Sequence, residues 1–399
     1  MIPISEAIKI IKRETFSLEA ETIDLRDSIG RILAEEIFAD MDLPPFNRSQ
    51  MDGFAVKSED TQNVPAKLKI IGESVAGKGF NDDLNRGEAV RTMTGARVPE
   101  GADAVQKVEL TRELDGNLIE IFEAAKPKQN IINRAEEIEK GEKIFSTGEQ
   151  INENTIASIA SFGYAKVKVA RQPKAAILAT GSEIVDIFRQ PGQDQIRNSN
   201  SIMLEAFAKK AGAKTEVLPI VKDDISNLKT QILEALKTND VLLITGGVSV
   251  GDYDFTKPAL REIGAEIFFE KVSLKPGKPA VFAKLNNKLI FGLPGNPVSV
   301  AVTFCLFVRT ALMLMQNSET AELKKGYAVV SAKIKGAKER DSYLPVSVET
   351  NERGNLMVES LRFTGSSNFI AFSKANSLIF VPQGVSFESG DVAQILFLP

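Results

Sequence analysis

From Lys174 to Val272 short apolar runs alternate with amphipathic stretches of helical spacing. That pattern restricts this part of the chain to a parallel, helix-covered sheet. KAAILAT, KTEVLPIV, DVLLITGG and AEIFFEKV read as strands, and NSIMLEAFAKKAGA, ISNLKTQILEALKTN and TKPALREIG as the helices between them. Ligands of such sheets bind beyond the carboxyl ends of the strands. Three turns fall at those ends: Thr180-Gly181-Ser182-Glu183, Thr245-Gly246-Gly247 and Leu293-Pro294-Gly295-Asn296-Pro297. The chain contains no histidine, so chemistry at this edge rests on carboxylates, lysines, hydroxyls and metals.

In TGGVSVGDYDF, Gly246 and Gly247 permit close backbone approach, and Asp252 and Asp254 follow two residues apart. Asp254 has two readings, a hard ligand for Mg2+ or a cap for the helix TKPALREIG. Asp252 reads as structural, and Glu183 is a second candidate metal ligand. In VSLKPGKPAVFA, Lys275 and Lys278 flank a Pro-Gly turn. Two ammonium groups so placed are either solvated or drawn together by an oxyanion. In LPGNPVSV, Asn296 is an N-cap candidate and Pro297 suits the first helical turn, which aims a helix N-terminus and its free N–H groups at an anion.

At 399 residues the chain should divide into several domains. We expect a mixed elongated domain from 1–40 and 133–170, interrupted by an inserted β-rich domain at 41–132. The α/β domain follows at 171–318, and short strands parted by Gly, Pro and Asn make 319–399 a C-terminal β-barrel or sandwich. The opening ISEAIKIIKRETFSLEA is an amphipathic helix without the apolar core of a signal peptide. The single cysteine, Cys305, lies in the apolar run VSVAVTFCLFV and reads as core, which fits a reducing, cytoplasmic setting. The stretch Val298 to Met315 approaches membrane-spanning length, but Arg309 interrupts it, so we expect a core helix and no membrane contact. A net charge of −4 argues against a nucleic-acid partner. Two distant loops, PPFNRSQMDGFAV and VRTMTGARVPEGADAV, carry polar clusters that taken singly are exposed turns.

Read in order, PPFNRSQMDGFAV, TMTGARVPEGADAV, TGSEIV, NSNSIMLEA, TGGVSVGDYDF, KPGKPAVF and GLPGNPVS, with the looser FTGSSNFIAFSKANSLIFVP, span about 40–380. Together they resemble the molybdopterin molybdenumtransferase family, which includes bacterial MoeA and the E domain of gephyrin. The resemblance implies a multidomain fold around an α/β domain of molybdopterin-binding type. It implies an enzyme that takes adenylylated molybdopterin and molybdate, inserts the metal and releases AMP with Mg2+. It also implies a homodimer with a shared active site, and contact with a molybdopterin adenylyltransferase. By the same resemblance Asp52, Thr94, Glu183, Asp254, Lys275 and Lys278 are the catalytic positions, with Glu183 and Asp254 on the metal. Gly246, Gly247, Ser249, Pro294, Gly295, Asn296, Pro297, Arg340 and Ser366 are the substrate-binding positions.

The chain departs from the family pattern at three places. NRAEEI puts Glu137 where the family has an aspartate, Ser182 replaces the aspartate of TGDE, and Ser367-Asn368 stand where a histidine is common. An adenylyltransferase-like enzyme is the alternative within the chemistry, although TGGVSVG differs from the TGGTG loop of those proteins. A non-catalytic scaffold that kept the fold is the other class. The retained acidic and lysine positions speak against it.

Overall fold

The computed structural model describes residues 1–222, 224–248, 255–361 and 365–399. By contact these form two compact units, one of 36–146 with 157–164 and one of 1–35, 147–156 and 165–399. The first unit is built on a six-stranded sheet that includes Gly53–Val56, Ala66–Ser74, Glu88–Thr92 and Ala104–Lys107. Phe54, Val56, Leu68, Ile119 and Ile121 pack on one of its faces.

The second unit contains the α/β layer. Its strands are β1 (Lys174–Ala179), β2 (Lys214–Val217), β3 (Val241–Thr245), β4 (Glu266–Phe269), β5 (Val281–Leu285) and β6 (Lys288–Leu293). Its helices are α1 (Ser199–Lys210), α2 (Ile225–Thr238), α3 (Thr256–Glu262) and α4 (Pro297–Met315). The sheet order is β2-β1-β3-β6-β5-β4. The pairs β2–β1, β1–β3 and β3–β6 are parallel, as the alternation predicts, whereas β5 runs antiparallel to both neighbours. The cause is a tight hairpin: Asn286 and Asn287 both take positive φ, at 47° and 60°, and so return the chain along the same edge.

Residues alternate across the sheet with a period of two. Ala175, Ile177, Val241 and Leu243 face a core shared with α4 and with the N-terminal helix Ile4–Glu14, while Ala176, Leu178, Leu242 and Ile244 face α2 and α3. The long apolar helix α4 is 89% buried inside the protein, and Arg309 donates from Nη1 to the carbonyl of Ala321 at 2.7 Å. Cys305 is buried on the same helix, and burial pushes its thiol up to about 12.

The C-terminal strands form a closed barrel. Asp341–Thr350 is long enough to pair with Ser377–Val381 along its first half and with Leu356–Ser360 along its second. Lys325–Val330 and Val392–Phe397 complete the ring. A short strand of the α/β layer, Leu274–Lys275, adds in parallel to Asp341–Ser342, so the barrel grips the layer beside the Pro-Gly turn.

At the opposite, amino-terminal edge of the sheet the Asp240 carboxylate is buried. It receives Arg171 through two guanidinium nitrogens at 2.9 and 3.2 Å, the Lys174 amide at 2.9 Å and Lys288 Nζ at 3.4 Å. Burial alone would raise this carboxyl, but the Arg171 and Lys174 hydrogen bonds and the two cationic charges hold it below the ordinary carboxylate range. Its stabilisation is therefore present above the unfolded pKa of about 4 and is lost as pH falls through that value and below. Asp240→Asn should lower the thermal midpoint at pH 7 by the equivalent of about 2 kcal/mol. The gap to the parent protein should narrow in melts run toward pH 3.

Candidate active site

Thr245, the last residue of β3, draws the carboxyl edge together. Its carbonyl accepts from the Thr180 amide at 3.0 Å, and its hydroxyl bonds to the Pro294 carbonyl at 3.1 Å. Asn200, in the first turn of α1, donates from Nδ2 to Thr245 Oγ1 at 3.1 Å and to the Gly295 carbonyl at 2.7 Å. The Gly246 amide donates to the Leu293 carbonyl at 3.2 Å. Gly246 is required here, since its φ is 96° and a Cβ would lie 2.3 Å from the Thr180 carbonyl oxygen.

These contacts frame a cavity of about 760 Å3 lined by Thr180, Glu183, Asn198, Asn200, Gly246 and the Gly295-Asn296-Pro297 turn. Gly247 lies behind it, its α-carbon facing Thr256 and Thr180. Glu183 is exposed, and its carboxylate folds back over Gly181. Of the positions read as site residues, Ser249 and Asp254 lie outside the described residues, as does Asp252, which reads as structural. Among the described residues no cluster of three acidic or sulfur ligands forms, so Glu183 is one carboxylate at an open cavity. That donor set suits Mg2+, which is held by one or two carboxylates and completes its shell with substrate phosphates and water.

A second cavity, of about 560 Å3, shares Gly295 and Asn296 with the first and brings together Lys275, Lys278, Pro294, Arg340 and Ser366. Lys275 and Lys278 are exposed on the turn, whereas Arg340 comes from the start of the barrel. Arg340 donates from Nη1 to the Leu274 carbonyl at 3.1 Å, next to Lys275. Among the described residues none of the three cations has an acidic partner, and no carboxylate lines the cavity. Three like charges around one hollow repel unless an anion neutralises them.

The helix at Pro297 differs in detail from the sequence expectation. Asn296 occupies the N-cap with extended backbone angles but makes no capping bond. Its Nδ2 instead donates to Ser366 Oγ at 2.9 Å, and the Ser366 carbonyl takes the Val298 amide at 3.1 Å. The barrel loop thus covers one of the amides expected to face an anion, and Ser366 is held at the cavity wall by the same contacts.

Asp52 and Thr94 belong to the other unit. Asp52 Oδ1 accepts from both the amide and the hydroxyl of Thr94, at 2.7 and 2.8 Å, which holds this exposed carboxyl below its ordinary value. Glu137, the departure noted in NRAEEI, pairs with Arg48 at 3.2 Å in that unit.

Comparison with known proteins decides the kinship. Residues 2–163 match a family model for the MoeA N-terminal region (domain I and II), 176–313 one for a probable molybdopterin binding domain, and 327–398 one for the MoeA C-terminal region (domain IV). A molybdopterin molybdenumtransferase from Bacillus subtilis is 35% identical over 100% of this chain and 94% of its own length. One from Staphylococcus aureus is 35% identical over 99% and 95%. The chain belongs to the MoeA family. A MoeA crystal structure from Pyrococcus horikoshii superposes with a TM-score of 0.82 at 30% identity, covering 100% of this chain and 99% of that one. A second from the same organism gives 0.86 at 28%.

Two residues of the first cavity lie in the string NSNSIMLEA but are not read as site positions there. Asn198 and Asn200 look like ordinary residues of a helix start, and Asn198 does cap α1 by accepting from the Ser201 amide at 3.1 Å. The signal that could have set Asn200 apart is a second asparagine two residues after the cap, beyond capping reach of its own helix.

Glycines of the cavity walls make a paired test. Gly277 has φ 117°, and a Cβ there would lie 2.6 Å from Thr303 Cγ2, whereas a Cβ on Gly295 meets nothing within 4 Å. Gly277→Ala should destabilise by about 2 kcal/mol in thermal or urea unfolding and weaken anion binding. Gly295→Ala should leave stability within about 0.5 kcal/mol of the parent protein.

Proposed function

We propose that the protein is a molybdopterin molybdenumtransferase, which inserts molybdate into adenylylated molybdopterin and releases AMP. The observation that carries this reading is the cavity ringed by Lys275, Lys278, Arg340 and Ser366, with no acidic side chain in its wall among the described residues. Molybdate is a tetrahedral dianion, and ammonium, guanidinium and hydroxyl donors suit it in charge and shape. The neighbouring cavity, joined through Gly295 and Asn296, is sized for the pterin body of an organic substrate.

In this reading Lys275, Lys278 and Arg340 neutralise the oxyanion and hold it against the dithiolene. As Mo–S bonds replace Mo–O bonds, oxide leaves as water, and the lysine ammonium groups lie at the leaving oxygens to supply protons. Asn200 and Asn296 orient the organic substrate between the two cavities. Glu183, with Asp254 assigned on sequence alone, would hold Mg2+, which supplies Lewis-acid polarisation of the phosphoanhydride. We include in the proposal a cytoplasmic homodimer with a shared site to which Asp52 and Thr94 contribute, and a transient contact with the adenylyltransferase that makes the substrate. These rest on the family resemblance.

Purified protein given adenylylated molybdopterin, molybdate and Mg2+ should release AMP in proportion to molybdate. Lys275→Ala with Lys278→Ala should cut that release by about 100-fold, the scale of losing donors aimed at a developing charge. Glu183→Gln should raise the Mg2+ concentration needed for half-maximal rate. Absence of molybdate-dependent AMP release from the pure parent protein would remove the enzyme reading.

A further inference from the structure

The turn that carries Lys275 and Lys278 is held from behind by a residue that lines neither cavity. Ile2, just ahead of the N-terminal helix Ile4–Glu14, forms an isolated parallel bridge with Val272. Its amide donates to the Lys271 carbonyl at 3.0 Å, and its carbonyl accepts from the Ser273 amide at 2.8 Å. Its side chain is partly buried against the same core that takes up Val272 and Leu274, both fully buried.

Peptide groups alternate in direction along an extended segment. Those of Lys271 and Ser273 face Ile2. Those of Val272 and Leu274 face the opposite edge, where the Val272 amide donates to the Lys278 carbonyl at 3.0 Å and the Leu274 carbonyl accepts from Arg340 Nη1 at 3.1 Å. One short segment therefore has Ile2 along its back and two of the three cations of the second cavity tied to its front. Lys275 has a separate tie, the pairing of Leu274–Lys275 with Asp341–Ser342. Lys278 has none. Its carbonyl takes one other amide, that of Ala280 two residues on, at 3.1 Å, so among the described residues its long-range tie runs through Val272.

That tie bears load because Lys275, Lys278 and Arg340 carry like charges around one hollow and repel. Before an anion arrives, only the backbone of the turn opposes the repulsion. We infer that Ile2 is a positioning residue for the oxyanion: through Val272 it fixes where Lys278 stands in the second cavity. The inference rests on the proposed reading of that cavity as the oxyanion site.

The test compares variants of the full-length protein by hydrogen exchange and by molybdate calorimetry. Ile2→Pro removes the amide that bonds Lys271, whereas Ile2→Val keeps both backbone bonds and the apolar contact. Ile2→Pro should speed exchange at the Val272 and Ser273 amides while the Leu243 amide of β3 stays protected. It should weaken molybdate binding roughly fivefold, and Ile2→Val should match the parent. In a Lys278→Ala background Ile2→Pro should cost nothing further, because its effect acts through Lys278. A further fivefold loss in that background, or faster exchange with unchanged molybdate binding, overturns the positioning role. Unchanged exchange in Ile2→Pro overturns the brace itself. Should Ile2→Pro also expose Leu243, Ile2→Gly, which keeps the amide and removes the apolar contact, is judged by the same outcomes. If exchange responds as expected but the parent protein binds no molybdate, the oxyanion reading falls and takes the positioning role with it, while the brace stands.

Discussion

The hydrogen bonds that converge on Thr245 are the constraint on which the site depends. Through its carbonyl, its hydroxyl and Asn200, the end of β3 is joined to Thr180, to Pro294 and to Gly295. Three loops far apart in the chain are thereby held at one edge of a sheet whose central strands are buried on both faces. A rigid edge of this kind keeps the cavities open without a ligand, because the loops are braced by one another rather than by what they bind.

The cation cavity depends on that bracing and on the barrel. Lys275 and Lys278 sit on a turn that cannot carry a side chain at Gly277, and Arg340 reaches them because Leu274–Lys275 adds to the barrel strand beginning at Asp341. Like charges brought this close raise the energy of the empty protein. The fold tolerates the cost because each is supported elsewhere, Arg340 by a backbone carbonyl and the lysines by solvent. The opposite edge shows the contrast: there Arg171 and Lys288 meet Asp240, and the charges hold the structure together instead of awaiting a ligand.

Much of this was legible in the sequence, for physical reasons that particular residues illustrate. Alternation of strand and helix, with Gly246 and the Leu293-Pro294-Gly295 turn at strand ends, located the edge before any coordinates. The pair Lys275 and Lys278 is visible in the sequence as two cations on one Pro-Gly turn, a pattern that fits solvation as well as an oxyanion. Other features depended on pairings that no local pattern reports. Arg340 meets the Leu274 carbonyl across 66 residues, and Asn296 gives up its expected cap for Ser366, 70 residues on. The antiparallel β5 turned on two asparagines in the left-handed region, which a strand count by hydrophobicity passes over. Asn200 and Ser201 were hidden within what reads as an ordinary helix start. Their unpaired oxygens emerge only once the partners of every neighbouring group are known.

The central claim is that the cavity of Lys275, Lys278, Arg340 and Ser366 receives the oxyanion that the enzyme consumes. Anomalous diffraction at the molybdenum edge from a crystal soaked in molybdate tests it most directly. The account predicts one dominant peak in that cavity, with the four side chains in hydrogen-bond reach of its oxygens. A dominant peak elsewhere on the protein, with this cavity empty, would contradict it.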